Sequence, residues 1–298
     1  MFRTPTRIAR IRSHAYTQHA SLFSKEAFPI DVIISPENLV TNAIERLIEY
    51  PGAVQVLDFA DGKAQLVANA FTHIAAGADD ADVRQRLNGL ATGGQPKIVL
   101  RRIDKPYKRV MVAGGGNIGM RLAETIESRY AVKVIEMHPE RCKLLSERLQ
   151  HGIALRGSAS DRELLIAENV EDTDVFCALT NDDEINIMSS LLAKRLGASK
   201  VITLIGNPAY VDLVQGVDID IAISPQQVTI GSLLTHVRRG HMTNVYRLRR
   251  GAAEALEIVA HGDSSNSKVV GKALGDIRLP EGVTIDELAM TYLVEGHR

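Results

Sequence analysis

Val110-Met111-Val112-Ala113-Gly114-Gly115-Gly116-Asn117-Ile118-Gly119 runs a short apolar strand straight into a glycine turn that fits G-x-G-x-x-G. The next stretch of chain completes the unit. Arg121 to Tyr130 read as a helix, Val132-Lys133-Val134-Ile135 as a second strand, and Glu136 closes that strand about 20 residues past the glycines. In this pattern Gly114 permits the tight turn, Gly116 lets the backbone approach a pyrophosphate, and Gly119 lets helix and strand pack closely. The helix N-terminus offers free N–H groups and the positive end of a dipole. A carboxylate at Glu136 accepts hydrogen bonds from ribose hydroxyls and repels a 2′-phosphate, so the motif predicts NAD(H) over NADP(H). A bare glycine motif is common in ordinary strand-to-helix loops; the strand, helix and acid at the right spacing are what give this one meaning.

Working outward, the pattern continues. Ile153-Ala154-Leu155-Arg156 reads as a third strand, Val175 to Leu179 as a fourth and Val201 to Ile205 as a fifth. Ser160-Asp161-Arg162-Glu163 is a capping box that opens one intervening helix, and Gly197 is placed to end another. Strands alternating with helices predict a doubly wound parallel sheet of the Rossmann type.

An internal repeat flanks this unit. Ile30-Asp31-Val32-Ile33-Ile34-Ser35-Pro36 is matched by Ile219-Asp220-Ile221-Ala222-Ile223-Ser224-Pro225, an offset of 189 from Ile30 to Ile219. Upstream, Ile8 and Tyr16 match Ile202 and Tyr210 at an offset of 194. A helical stretch comes after each Ser-Pro, with Ile44 and Ile48 corresponding to Leu233 and Val237. The first copy holds only the last strands of the pattern, so residues 1–50 are expected to be the C-terminal part of a first Rossmann-like domain. Residues 51–106 then form a reduced small domain and linker, 107–240 the complete NAD-binding domain, and 241–298 a partial second small α+β domain. Val54 to Phe59 is β-like with Asp61-Gly62 as a turn, the segments from Ala75 and from Gly89 are loop-rich, and a second β-containing segment is expected over Ala252 to Leu279. The Arg-rich, acid-free start (Arg3, Arg7, Arg10, Arg12) has the composition of a transit peptide, but Ile8-Ala9-Arg10-Ile11 and the repeat favour a folded strand.

Composition narrows the function classes. The chain has 298 residues, 45% of them hydrophobic, and a net charge of −1 with its basic residues dispersed, which gives no footprint for nucleic acid. No apolar run approaches the roughly 18 residues of a membrane span. The two cysteines, Cys142 and Cys177, show no metal spacing or disulfide framework and fit a reducing cytoplasm. A dehydrogenase would need an acid or base beside the nicotinamide. None of the seven tyrosines has a lysine four residues later, His138 and His151 read as loop histidines, and Asp182, Asp183 and Glu184 read as carboxylates complementing a helix start. The helix from Pro225 carries Ile230, Leu233, Leu234 and Val237 on one face, equally consistent with core or interface.

Three segments together resemble a known family: Gly114 to Gly119, Thr180-Asn181-Asp182-Asp183-Glu184-Ile185-Asn186-Ile187-Met188, and Tyr210 to Gly216 with Ile223-Ser224-Pro225-Gln226-Gln227. They look like TrkA, the peripheral NAD-binding subunits of Trk potassium uptake systems, whose regulatory domains are called RCK or KTN domains. The resemblance runs from about Tyr107 to Pro280 and from Phe2 to Leu66. It implies a regulatory subunit, not an enzyme: a homo-oligomer on the inner face of the membrane beneath an integral potassium-translocating partner, binding NAD(H). It places nucleotide contacts at Gly114, Gly115, Gly116, Asn117, Ile118, Gly119, Glu136, Gly157, Ser158, Thr180 and Asn181, with Arg10 matching a contact position in the first unit. Relative to the family this chain is expected to be a shortened form, lacking the first glycine motif, much of the first small domain after about Asn69, and the end of the second. Where the family commonly has Gly-Asp-Ala, the chain has Gly157-Ser158-Ala159, so a hydroxyl replaces a carboxylate on the adenosine side. The competing reading from the residues is an NAD-dependent oxidoreductase.

Overall fold

Two short parallel strands, β1 (Ile8–Arg10) and β2 (Val32–Ile34), pair Ile8 with Val32 and Arg10 with Ile34. Helix α1 (Pro36–Glu49) comes next, capped by Ser35, whose hydroxyl accepts from the Asn38 N–H, and started by a proline whose missing N–H costs a first turn nothing. The chain then turns through Gly52 (φ +82°) into an antiparallel hairpin of β3 (Ala53–Phe59) and β4 (Ala64–Asn69). The computed structural model describes residues 7–11, 28–59, 64–69, 105–214, 219–237, 242–248 and 253–258, with residue 23 and short stretches between 262 and 277. Asp61-Gly62, Tyr16 and the loop-rich segments from Ala75 and Gly89 lie outside the described residues.

From Arg109 the alternating pattern forms one sheet. Strands β5 (Arg109–Ala113), β6 (Ala131–Glu136), β7 (Ile153–Arg156), β8 (Val175–Ala178), β9 (Lys200–Leu204) and β10 (Ile221–Ile223) are all parallel. Their spatial order is β10-β9-β8-β5-β6-β7, so the chain starts in the middle, winds to one edge and then returns to wind to the other. That is the doubly wound Rossmann order, with its reversal between β5 and β8. The crossovers are helices α2 (Asn117–Ile126), α3 (Pro139–Arg148), α4 (Arg162–Ala167), α5 (Asp183–Arg195) and α6 (Pro208–Val214). Because successive strand residues face opposite sides, Val110 and Val112 enter one core while Met111 and Ala113 enter the other. Cys177 is fully buried, and burial pushes its thiol up to about 12, which makes it a packing residue.

Two boundaries differ from the sequence reading. The cap of α4 is Asp161 instead of Ser160: its carboxylate takes the N–H groups of Glu163 and Leu164 at 2.9 and 3.3 Å, while the Ser160 N–H bonds back to the Ser158 hydroxyl. The second small β-segment begins at Met242, ten residues before the expected Ala252. After helix α7 (Pro225–Val237) come β11 (Met242–Leu248) and β12 (Ala253–Ile258) as an antiparallel hairpin. Met-Thr-Asn-Val-Tyr-Arg-Leu carries too many polar residues to stand out as an apolar run.

The repeat holds down to hydrogen-bond register. Ile8 pairs with Val32 as Ile202 pairs with Ile221, the same partners under the two offsets. Ala53 pairs with Asn69 as Met242 pairs with Ile258, and both hairpins are irregular at the same place, between Ala53 and Gln55 and between Met242 and Asn244. The two copies meet where α1 packs on α7, and α1 also lies on α2. Val40, Ile44, Leu47 and Ile48 of α1 share one core cluster with Val110, Leu122, Ile126 and Ile223, so the first copy's helix is part of the central unit's core.

Candidate nucleotide site

The strand-order reversal leaves a crevice at the C-terminal ends of β5 and β8, the place where open α/β sheets bind ligands. A cavity of about 430 Å³ lies there. Of the residues expected from sequence, Gly114, Gly116, Asn117, Ile118, Glu136, Gly157, Ser158, Thr180 and Asn181 line it; Gly115, Gly119 and Arg10 do not.

Three glycines of the motif answer close backbone or core packing, and the fourth, Gly116, opens on the cavity. Gly114 has φ +101°, and a Cβ there would stand 2.9 Å from the Thr180 nitrogen. At Gly119 a Cβ would stand 1.9 Å from the Gly114 carbonyl oxygen, so this glycine lets the helix seat on the strand. A Cβ at Gly115 would run into Leu145 Cδ1 at 2.3 Å. Gly116 is different: it is the N-cap of α2 with ordinary extended angles (φ −72°, ψ −167°), and beyond its chain neighbours a Cβ there would meet, among the described residues, just the Arg141 guanidinium, at 3.8 Å. Its missing side chain leaves a cradle in front of the helix N-terminus.

Glu136 is 5% exposed, and it does more than the spacing suggested. One carboxylate oxygen accepts the Gly115 N–H and the other the His138 N–H, both at 2.8 Å. The acid therefore fixes the glycine turn and the β6–α3 turn while keeping lone pairs for a ligand hydroxyl. His138, read from sequence as a loop histidine, lies in the cavity wall.

Across the crevice, Asn186 holds the Thr180-Asn181 loop. It is fully buried and uses its whole amide: Oδ1 accepts from the Thr180 N–H (2.8 Å) and hydroxyl (2.7 Å), and Nδ2 donates to the Thr180 and Leu204 carbonyls (both 3.0 Å). The neighbouring acids are occupied structurally. Asp182 caps α5 through the Ile185 N–H, Asp183 accepts from Gly206 and Asn207, and Glu184 accepts from the Tyr210 hydroxyl. Among the described residues no group of three or more potential ligands is placed to hold a metal.

Sequence reasoning missed Glu37. It sits in the first turn of α1 and reaches the cavity wall of the unit that begins some seventy residues later in the chain, at Tyr107. The signal was present, since Ser35-Pro36-Glu37 is answered by Ser224-Pro225-Gln226 in the repeat, but only the packing of α1 on α2 shows where that helix points.

A family model described as the TrkA-N domain matches residues 110–225. A relative from Halomonas elongata, "Trk system potassium uptake protein TrkA", is 53% identical over 96% of this chain and 70% of its own length. One of the same name from Vibrio alginolyticus is 50% identical over 96% of the chain and 70% of its own length. Among solved structures, the GsuK RCK domain covers 80% of this chain and 59% of its own at 13% identity and a TM-score of 0.47, a likeness too loose to argue from. With identities of this size over nearly its whole length, the chain belongs to the TrkA family of Trk-system potassium uptake proteins.

Proposed function

We propose that this chain binds NAD(H) in the crevice between β5 and β8 and serves as the nucleotide-responsive regulatory subunit of a potassium uptake system. The observation that carries the reading is the cradle at Gly116. A pyrophosphate laid there meets the N-terminus of α2, with the Glu136 carboxylate within the same cavity for ribose hydroxyls, Ser158 beyond the neighbouring strand β7, and Thr180 and Asn181 across the crevice after β8. The family relatives carry the potassium-uptake half of the proposal. No described helix is long and apolar enough to cross a membrane. In this reading the subunit is held on the inner face of the membrane by an integral partner. Binding proceeds without hydride transfer. The cofactor acts as a ligand whose differential affinity for two conformations shifts their populations.

The domain plan belongs to the same proposal: 1–50, 51–106, 107–240 and 241–298. The shared hairpin register supports equating 51–69 with the start of the last segment. The alignment with the H. elongata relative runs over 321 positions against 298 residues here, so it opens gaps in this chain, as a reduced middle segment requires. G-x-G-x-x-G occurs once, and one NAD(H) per chain is expected.

Calorimetric titration with NADH, NAD+, NADPH and ATP tests the reading. NADH or NAD+ is expected to bind more tightly than NADPH. Gly116→Val is expected to abolish binding while leaving the unfolding midpoint close to wild type, because its backbone angles suit any residue and its side chain projects into the cavity. Full-strength NADH binding by Gly116→Val sinks the proposal, and so does steady oxidation of NADH dependent on a small carbonyl compound.

A further inference from the structure

We propose that Arg141 is a phosphate clamp that closes over the Gly116 cradle, so that this site grades its ligands by the number of phosphates they carry; the inference rests on the nucleotide reading above. Arg141 lies in the first turn of α3, five residues past Glu136, with an exposed side chain that lines the cavity. Apart from chain neighbours and the helix's own backbone, its Nη1 is the sole atom among the described residues within 4 Å of where a Gly116 Cβ would stand, at 3.8 Å. The guanidinium therefore stands at the edge of the Gly116 cradle, in the wall of the same cavity.

Charge balance makes the position matter. Two carboxylates, Glu37 and Glu136, line the cavity, and Arg141 is the single lysine or arginine among the described residues that does. A pyrophosphate entering beside two acids needs a full positive charge as well as the partial one at the start of α2. The other cations of α3 are engaged elsewhere: Lys143 with Glu147, and Arg148 with Glu124 at 2.7 Å. Arg141 has no hydrogen bond or ion pair among the described residues, so its fork of donors is available for two oxygens of a diphosphate.

The test compares AMP, ADP, NADH and inorganic pyrophosphate by calorimetry on the full chain, in wild type, Arg141→Gln and Arg141→Lys, at two salt concentrations. Arg141→Gln is expected to weaken ADP, NADH and pyrophosphate by about tenfold or more, as loss of a charge-assisted pair should, while AMP changes less. The ADP-to-AMP affinity ratio falls and the salt dependence of NADH binding flattens. Arg141→Lys restores part of the ratio, and the unfolding midpoint stays put because the side chain is exposed. An unchanged ADP-to-AMP ratio in Arg141→Gln overturns the clamp, whether every ligand weakens equally or none does. A wild type that takes ADP and pyrophosphate through Arg141 but rejects NADH keeps the clamp and removes the NAD reading. Tight NADH binding untouched by Arg141→Gln does the reverse, and a wild type that binds none of the ligands removes both.

Discussion

Helices α1 and α7 are copies of one another, each placed after a Ser-Pro start, each preceded by a parallel strand and each feeding a hairpin of the same register, yet they are buried very differently. Ile44 is fully buried in α1; its counterpart Leu233 is half-buried. The pair Thr41 and Ile230 inverts the usual rule, with the polar residue 1% exposed and the apolar one 41%. Caps differ too: Ser35 receives the Asn38 N–H, whereas the buried Ser224 hydroxyl has no hydrogen bond among the described residues. Local signals fixed the backbone of both copies, and the partner decided which face was covered. For α1 that partner is α2 and the start of β9.

The largest effect is therefore expected from matched truncations. Ile44→Ala removes a side chain from a closed core and should cost about 2–5 kcal/mol. Leu233→Ala, at the matching position, should cost well under half as much, since much of its surface is already in water. Urea midpoints at constant m-value measure both. Equal costs would mean that α7 is as deeply packed as α1 in solution, and the contrast between the copies would fail.

Lys200 explains how α1 is held. From the first position of β9 its buried ammonium donates to the carbonyls of Leu47 (3.2 Å) and Ala53 (2.8 Å), satisfying the C-terminal end of α1, where a cation complements the helix dipole. Lys200→Met should destabilise by about 1.5–3 kcal/mol, the usual range for hydrogen bonds made by a charged group. The sharper readout is local. Amide hydrogen exchange should quicken over 36–49 and stay unchanged over 225–237. Loss of protection in both helices would show that the two copies unfold as one cooperative unit.

The central sheet was legible because its inner strands are buried on both faces and read as apolar runs between capped helices, with the glycine turn and Glu136 fixing the register of the first two. The cavity was legible for the same reason: Gly116 and Glu136 lie at the ends of those strands, and Thr180 comes just after β8. What escaped was information carried between distant elements. Glu37 lies in the cavity because α1 packs on α2, and Asn186 matters because its amide bridges the loop after β8 to the end of β9. The start of β11 escaped for a local reason, since Asn244 and Arg247 interrupt its apolar pattern, although carrying the offset of 189 past α7 would have placed it opposite Ala53.

The smallest expected effect lies at the surface of the same junction. Arg129, just past the end of α2, pairs with Glu45 and Glu49 on one face of α1, a contact that α7 does not repeat among the described residues. Its side chain is 43% exposed and the two acids 23% and 33%, so solvent screening limits what the cluster contributes. Arg129→Gln should cost about 0.2–1 kcal/mol at low salt, and less as ionic strength rises. A double-mutant cycle with Glu45→Gln isolates the pair from the packing of the arginine stem. A salt-independent cost would place the contribution in that stem, whereas one matching Lys200→Met would make the surface cluster as strong a tie between α1 and the nucleotide-binding unit as the buried lysine.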